Sequence, residues 1–230
     1  MAVDEVLLDA AAATGNASLR FYRWSEPTLS LGYFQNYADR ESHAASRKCS
    51  AVRRASGGGA ILHDRELTYS LAVPMAQRTA KTATALYDSV HGALIAALAL
   101  WRVRAERCCN APAREPGEQP FLCFQRRTQG DVVLDGVKIC GSAQRRRGGA
   151  ILQHGSLLLH ASKAAPELPG LADVSGASFD EAELLAGWLA VLAERMNLAL
   201  TPARLSADES GRATVLAQEK YRAEKWTRRR

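Results

Sequence analysis

Two side chains, Cys123 and Lys138, stand fifteen positions apart and have the types needed for acyl transfer. A thiol reacts as its thiolate, and a free cysteine keeps its proton up to a pKa near ~8.5. An ammonium beside it favours the thiolate. At ~4 Å and an effective dielectric of ~20 the attraction is of order 4 kcal/mol before desolvation. Half of that exceeds one pKa unit, at ~1.4 kcal/mol per unit. A Cys–Lys pair can therefore accept an acyl group without help from histidine. Two plainer readings stay open on the residues alone. A lone cysteine packs well as a small core residue. In "VKIC", strict alternation sends Lys138 to the face opposite Val137 and Ile139, which equally fits a solvent-facing lysine.

A second stretch asks for a ligand. "RRASGGGAILHD" (53–64) holds Arg53, Arg54 and Ser56, then Gly57, Gly58 and Gly59, then His63. Glycine permits positive φ and lets a ligand lie against bare N–H groups. No Gly-Lys-Ser/Thr follows and no G-x-G-x-x-G is present, so neither phosphate-loop pattern applies. A tight bulged connection between strands is the structural alternative. Further on, "DGVKICGSAQRRRGGAILQHGS" (135–156) adds Gly141, Ser142 and Ala143, an arginine run at 145–147, and His154 before a glycine. His63 and His154 fit loop orientation, proton transfer or plain structural hydrogen bonding. Cys140, two positions after Lys138, would share its strand face and offer a second thiol near the site.

These residues need a scaffold. Residues 3–13 fit a short helix. "LRFYRW" (19–24) and "TLSLGY" (28–33) alternate around a Ser-Glu-Pro turn and predict a strand pair. Strands over 50–54 and 67–73 flank the glycines. The stretch 81–101 predicts a helix with Leu86, Val90, Leu94 and Leu98 on one stripe. Residues 110–120, with three prolines, read as a loop. Asp135-Gly136 between apolar runs is the favoured centre of a two-residue hairpin turn. A strand over 148–159, a helix over 179–196 and helical character over 208–226 follow. The pattern predicts an α+β fold, with mostly antiparallel sheet flanked by helices, in a single domain spanning 1–230.

Composition narrows the partners. The 230 residues are 47% hydrophobic and 23% charged, with a net charge of +6. The basic surplus suits an acidic partner, and it gathers at Arg126-Arg127, Arg145–Arg147 and Arg228–Arg230. The arginines are not interleaved with aromatics as a nucleic-acid stacking platform requires. The apolar runs at 92–101 and 184–193 are about half the ~20 residues of a membrane span. The first residues lack the basic start of a secretory signal. Five cysteines without paired metal spacing predict free thiols, no metal site and a cytoplasmic protein.

"RRASGGGAILHD" is similar to the RRxSGGGAVxHD signature of the lipoate/biotin protein ligase superfamily. "DGVKICGSAQRRRGGAILQHGSLLL" resembles that superfamily's GxKIxGSAQ…QHG segment. "LRFYRWSEPTLSLGYFQN" (19–36) resembles its early strands, and "KYRAEKWTRRR" (220–230) its closing KY…W…RR, so the likeness covers nearly the whole chain. The resemblance implies a biotin/lipoate ligase catalytic-domain fold without a C-terminal accessory domain. The cysteine of "LCFQ", at its spacing from Lys138, resembles the cysteine-dependent octanoyltransferase branch, and "QRRTQGD" departs from it in carrying two arginines. For that branch the resemblance implies Cys123 as nucleophile and Lys138 as its partner. Arg53, Arg54, Ser56, Gly57, Gly58, Gly59, His63, Gly141, Ser142, Ala143 and His154 would then bind substrate. The implied donor is octanoyl-acyl carrier protein, and the acceptor a lysine of a lipoyl domain or of glycine cleavage H protein, with no cofactor. Both carriers are acidic, and Arg53, Arg54 and Arg145 are the expected contacts. Two alternatives remain: an ATP- and Mg2+-dependent lipoate-protein ligase working with a separate accessory chain, and a non-catalytic binder of lipoyl or acyl carriers.

Overall fold

The computed structural model describes residues 1–75, 80–110 and 120–230, with backbone alone for 80–83. Most of the expected proline-rich loop, 111–119, lies outside the described residues. Among the described residues nine strands form two sheets: β1 (Ser18–Tyr22), β2 (Thr28–Leu31), β3 (Ser50–Arg53), β4 (Ile61–His63), β5 (Glu66–Pro74), β6 (Glu106–Arg107), β7 (Val132–Leu134), β8 (Val137–Arg147) and β9 (Ala150–Leu158). A six-stranded sheet runs β1-β5-β9-β8-β7-β6, antiparallel at every pairing. A three-stranded sheet runs β3-β2-β4, with β2 and β3 parallel.

The early strands do not pair with each other as expected. β1 pairs with β5, and β2 with β3 and β4. The Ser25-Glu26-Pro27 break turns the chain from one sheet to the other. Both strands form where expected, but burial does not alternate along them: β1 is half-buried and β2 buried throughout. The sequence pattern also says nothing about which strand lies alongside.

The described residues also hold six α-helices: α1 (Ala2–Thr14), α2 (Ala80–Leu100), α3 (Leu171–Ser175), α4 (Glu181–Met196), α5 (Ala207–Leu216) and α6 (Glu224–Thr227). The predicted α2 stripe is fully buried: Leu86, Val90, Leu94 and Leu98 meet Tyr69, Ile139 and Trp188 in the main core. The Trp188 indole reaches the Val90 carbonyl at 3.2 Å, which ties α4 to α2. α1 packs Leu7, Leu8 and Ala11 against Ala72 of β5 and Leu152 of β9.

The two ends of the chain are knitted together. Glu5 on α1 accepts from Lys220 Nζ at 2.6 Å, Tyr221 OH at 2.5 Å and Arg147 Nη1 at 2.6 Å. Burial works to raise the Glu5 pKa, but these donors outweigh it and hold the carboxyl below its usual range. Trp226 donates to the Arg53 carbonyl at 2.9 Å. These contacts account for the closing Lys-Tyr…Trp pattern. Both hairpin turns are of the left-handed kind: Asp135-Gly136 has φ of 48° and 76°, Gly148-Gly149 59° and 91°. Among the described residues no helix is long and apolar enough to cross a membrane.

Candidate active site

Cys123 and Lys138 meet. The lysine Nζ lies 3.7 Å from the cysteine Sγ. Lys138 is buried, so the solvent-facing alternative is overturned. Its ammonium is held at 2.9 Å by Asp131 Oδ2, and it also sits 5.2 Å above the Phe124 ring. Asp131 is fixed in turn. The same oxygen accepts from the Thr128 amide at 2.7 Å and its hydroxyl at 2.9 Å. This carboxylate offsets part of the attraction that a bare ammonium would exert on a thiolate. Lys138 therefore reaches the sulfur chiefly as a directed hydrogen-bond donor.

The cysteine is positioned by the glycine loop. Cys123 opens a single 3-10 turn (Cys123–Gln125), and its amide donates to the Ala60 carbonyl at 2.7 Å. Ala60 forms a parallel bridge with Leu122. The end of "GGGA" and Cys123 are thus joined backbone to backbone.

A β-bulge explains the lysine. Along β7–β8, Leu134 faces Val137 and Val133 faces Lys138, but Val132 faces Cys140, so Ile139 is an extra residue. The bulge breaks the alternation: Ile139 and Cys140 both enter the main core, while Lys138 turns to Cys123. Cys140 is fully buried, and burial drives its thiol pKa strongly upward. It does not share the lysine's face, which corrects the expected second thiol. Beyond the bulge, Gly141 makes room for the lysine. A Cβ there would stand 2.4 Å from Lys138 Cε and 2.7 Å from Nζ.

The arginines of "RRASGGG" face inward, not toward a partner. Arg53 is fully buried and Arg54 nearly so. Arg53 Nε donates to Thr227 O at 3.0 Å, and its Nη1 to Gly32 O at 2.8 Å and Gln35 O at 2.7 Å. Arg54 donates to the carbonyls of Ser30 (2.8 Å), Gly57 (2.8 Å) and Gly59 (2.7 Å). Burial lowers its pKa to about 10, still protonated at neutral pH. Arg54 braces the glycine loop through its Gly57 and Gly59 carbonyls, while Arg53 ties the Gly32–Gln35 turn to the carbonyl of Thr227. Arg145 likewise spends one donor on Ala55 O, at 2.7 Å. Of the three glycines, Gly58 takes the left-handed conformation, φ 97°, and the Cβ position of Gly59 is filled by Arg126. Gly57 and Gly58 line the pocket, but Gly59 does not.

That pocket holds about 60 Å³ and is mostly apolar; Cys123 and Phe124 stand on one side, Trp24 and Ile61 on others. His63 and His154 also line it. The His63 ring stacks on Trp24 at 4.2 Å, with Nδ1 2.5 Å from Glu66 Oε1. His154 Nε2 lies 2.5 Å from Ser56 Oγ, and burial lowers its pKa to about 4, so the ring is neutral. Its neighbour Gly155 is needed for contact between strands: a Cβ there would meet Ser142 Oγ at 2.4 Å, the Gly141 carbonyl at 2.6 Å and Tyr69 Cε1 at 2.6 Å. Ala143 pairs with His154 across β8–β9 and lines the pocket with Ser142.

Three partners escaped the sequence: Asp131, Tyr69 and His91. The Asp135-Gly136 turn carried a signal for Asp131, since a regular hairpin register sets it opposite Cys140, one position from where the bulge brings it.

Sheet order, paired motifs and a lysine beside a glycine-built pocket define a catalytic domain of the lipoyl-ligase type. The chain belongs to the lipoyl protein ligase A/B catalytic-domain family, which matches residues 1–168. It is 31% identical to the octanoyltransferase LipM of Macrococcus caseolyticus, over 100% of this chain and 94% of that protein. It is 33% identical to that of Kyrpidia tusciae, again over 100% and 94%. In fold it is similar to a lipoate-protein ligase A bound with ATP (TM-score 0.78, 21% identity, 99% and 92% covered). A structure of the bi-partite lipoate protein ligase system of Thermoplasma acidophilum is also similar (TM-score 0.75, 21% identity, 99% and 89% covered).

Proposed function

We propose that this chain is an octanoyltransferase of lipoate biosynthesis that works through a thioester on Cys123. The observation that carries the reading is the 3.7 Å approach of Lys138 Nζ to Cys123 Sγ at the wall of a mostly apolar pocket. The Cys123 thiolate attacks the carbonyl of octanoyl-acyl carrier protein. Lys138 donates to the sulfur and then to the oxyanion of the tetrahedral adduct. The carrier's C–S bond breaks, and its thiolate leaves and takes up a proton. The neutral ε-amine of a lysine on a lipoyl domain or on glycine cleavage H protein then attacks the acyl-enzyme. An amide forms, the amine loses a proton, and the Cys123 thiolate is regenerated. No nucleotide is consumed, because the donor thioester is already activated. The acidic carriers approach over exposed cations such as Arg146 and Arg229, not over the buried Arg53 and Arg54. The chain acts as one catalytic unit, in the cytoplasm, where its five free cysteines stay reduced.

Intact mass after incubation with octanoyl-acyl carrier protein tests this. The parent gains about 126 Da on Cys123, released by hydroxylamine as a thioester should be, and Cys123→Ser gains nothing. Absence of the adduct, with lipoate transfer that requires ATP, would overturn the reading.

A further inference from the structure

Helix α2 carries one buried polar side chain that the reaction above leaves unused. His91 is 0% exposed. Its Nδ1 lies 2.6 Å from the Gly130 carbonyl and its Nε2 2.5 Å from Ser142 Oγ. A carbonyl only accepts, so Nδ1 carries the hydrogen. Burial lowers the ring's pKa, and in the neutral ring Nε2 accepts from the Ser142 hydroxyl. The remaining directions follow. Tyr69 OH, 2.5 Å from Ser142 Oγ, must donate to it. Gln153 donates to the Tyr69 oxygen at 2.8 Å, and Gln144 to Gln153 Oε1 at 2.8 Å. Every proton from Gln144 to Gly130 has one direction, and the imidazole is the final link.

What the imidazole joins is more telling. The β7–β8 ladder ends with Val132 opposite Cys140. Continued by two positions, the same register would pair Asp131 with Gly141 and Gly130 with Ser142. Gly130 and Ser142 are not paired in the ladder; the His91 ring stands between them and bonds to both. In the gap next to it lie Asp131, the Lys138 ammonium, and the space left by the missing Gly141 Cβ. We propose that His91 is a positioning residue, a wedge that holds the ends of β7 and β8 open at the width where Lys138 reaches both Asp131 and Cys123. The inference rests on the reading of Cys123 and Lys138 as the reacting pair.

The test uses the full-length chain and two readouts. One is the alkylation rate of Cys123 by iodoacetamide at neutral pH, followed on the Cys123 peptide so that Cys109 and Cys49 do not interfere. The other is octanoyl transfer, with kcat and KM separated, alongside thermal melting. His91→Phe keeps the ring volume but loses both hydrogen bonds; Cys123 alkylation and kcat should each fall about tenfold, with KM for the octanoyl donor unchanged. His91→Gln, which can bond to one of the two partners, should recover part of the loss. Should His91→Phe fail to fold, His91→Gln against the parent decides alone, with an expected loss of a few-fold in both readouts. A folded variant with the parent's alkylation rate and kcat overturns the proposal. The alkylation arm needs no acyl donor, so a failed octanoyltransferase reading and a failed wedge give different results.

Discussion

The Gly141→Ala substitution would set a Cβ 2.4 Å from Lys138 Cε and 2.7 Å from Nζ, with Asp131 Oδ1 at 3.3 Å. Carbon atoms do not approach this closely, so the lysine must leave its place. It is flexible but enclosed: the Lys138 and Asp131 side chains are 2% and 5% exposed. Moving the ammonium leaves a buried carboxylate without its partner, which costs about 3–5 kcal/mol. Replacing glycine by alanine in a strand returns ~0.5–1 kcal/mol. The net loss is then on the order of 2–4 kcal/mol, or roughly 4–16 °C in Tm for a chain of this length. Urea unfolding measures it directly. A double-mutant cycle identifies the cause, since in a Lys138→Ala background neither lysine atom is there to be struck. Gly141→Ala should cost under about 1 kcal/mol in that background. Equal losses in both backgrounds, leaving a coupling below ~0.5 kcal/mol, would refute the reasoning.

Gly155→Ala meets a backbone carbonyl, Gly141 O, at 2.6 Å as well as Ser142 Oγ, so it should destabilise by about 1–3 kcal/mol in a denaturant titration. Arg54→Met strips three buried carbonyls of their donor and should cost about 3 kcal/mol; the exposed Arg146→Met serves as the neutral control. The depressed His154 pKa carries a pH dependence. The folded imidazole stays neutral down to about 4, while the unfolded chain takes up a proton near ~6.5, so stability falls as pH drops through that window, by about 3 kcal/mol in all. The parent should therefore lose more stability between pH 6.5 and 4 than His154→Gln, and identical pH profiles for the two would contradict the assignment.

The layout of elements was legible because it rests on local periodicity. The α2 stripe, the Asp135-Gly136 hairpin and the α4 helix all stand where alternation, turn chemistry and charge put them. Cys123 and Lys138 were legible as residue types at a spacing. Their contact was not, because it depends on one extra residue, Ile139, that reverses the parity of β8 after Lys138. The inward arginines were misjudged for a related reason. Charge in a sequence reads as surface, and only the fold shows how many turn and loop carbonyls gather around Arg53 and Arg54. His91 gave no signal at all: its polarity on an otherwise apolar helix face is explained only by two backbone segments, at 130 and 142, that approach it from other elements.

The Arg53 brace also sets an order of events. Arg53 reaches the Thr227 carbonyl, and Trp226 returns a bond to Arg53. During synthesis, β2, β3 and the glycine loop leave the ribosome some 170 residues before these partners exist. The buried Arg53 guanidinium therefore cannot complete its set of acceptors on the growing chain, whatever the state of the sheets behind it. The turn at Gly32–Gln35 can gather around Arg53 early, but the seal over it closes only once Trp226 and Thr227 have docked.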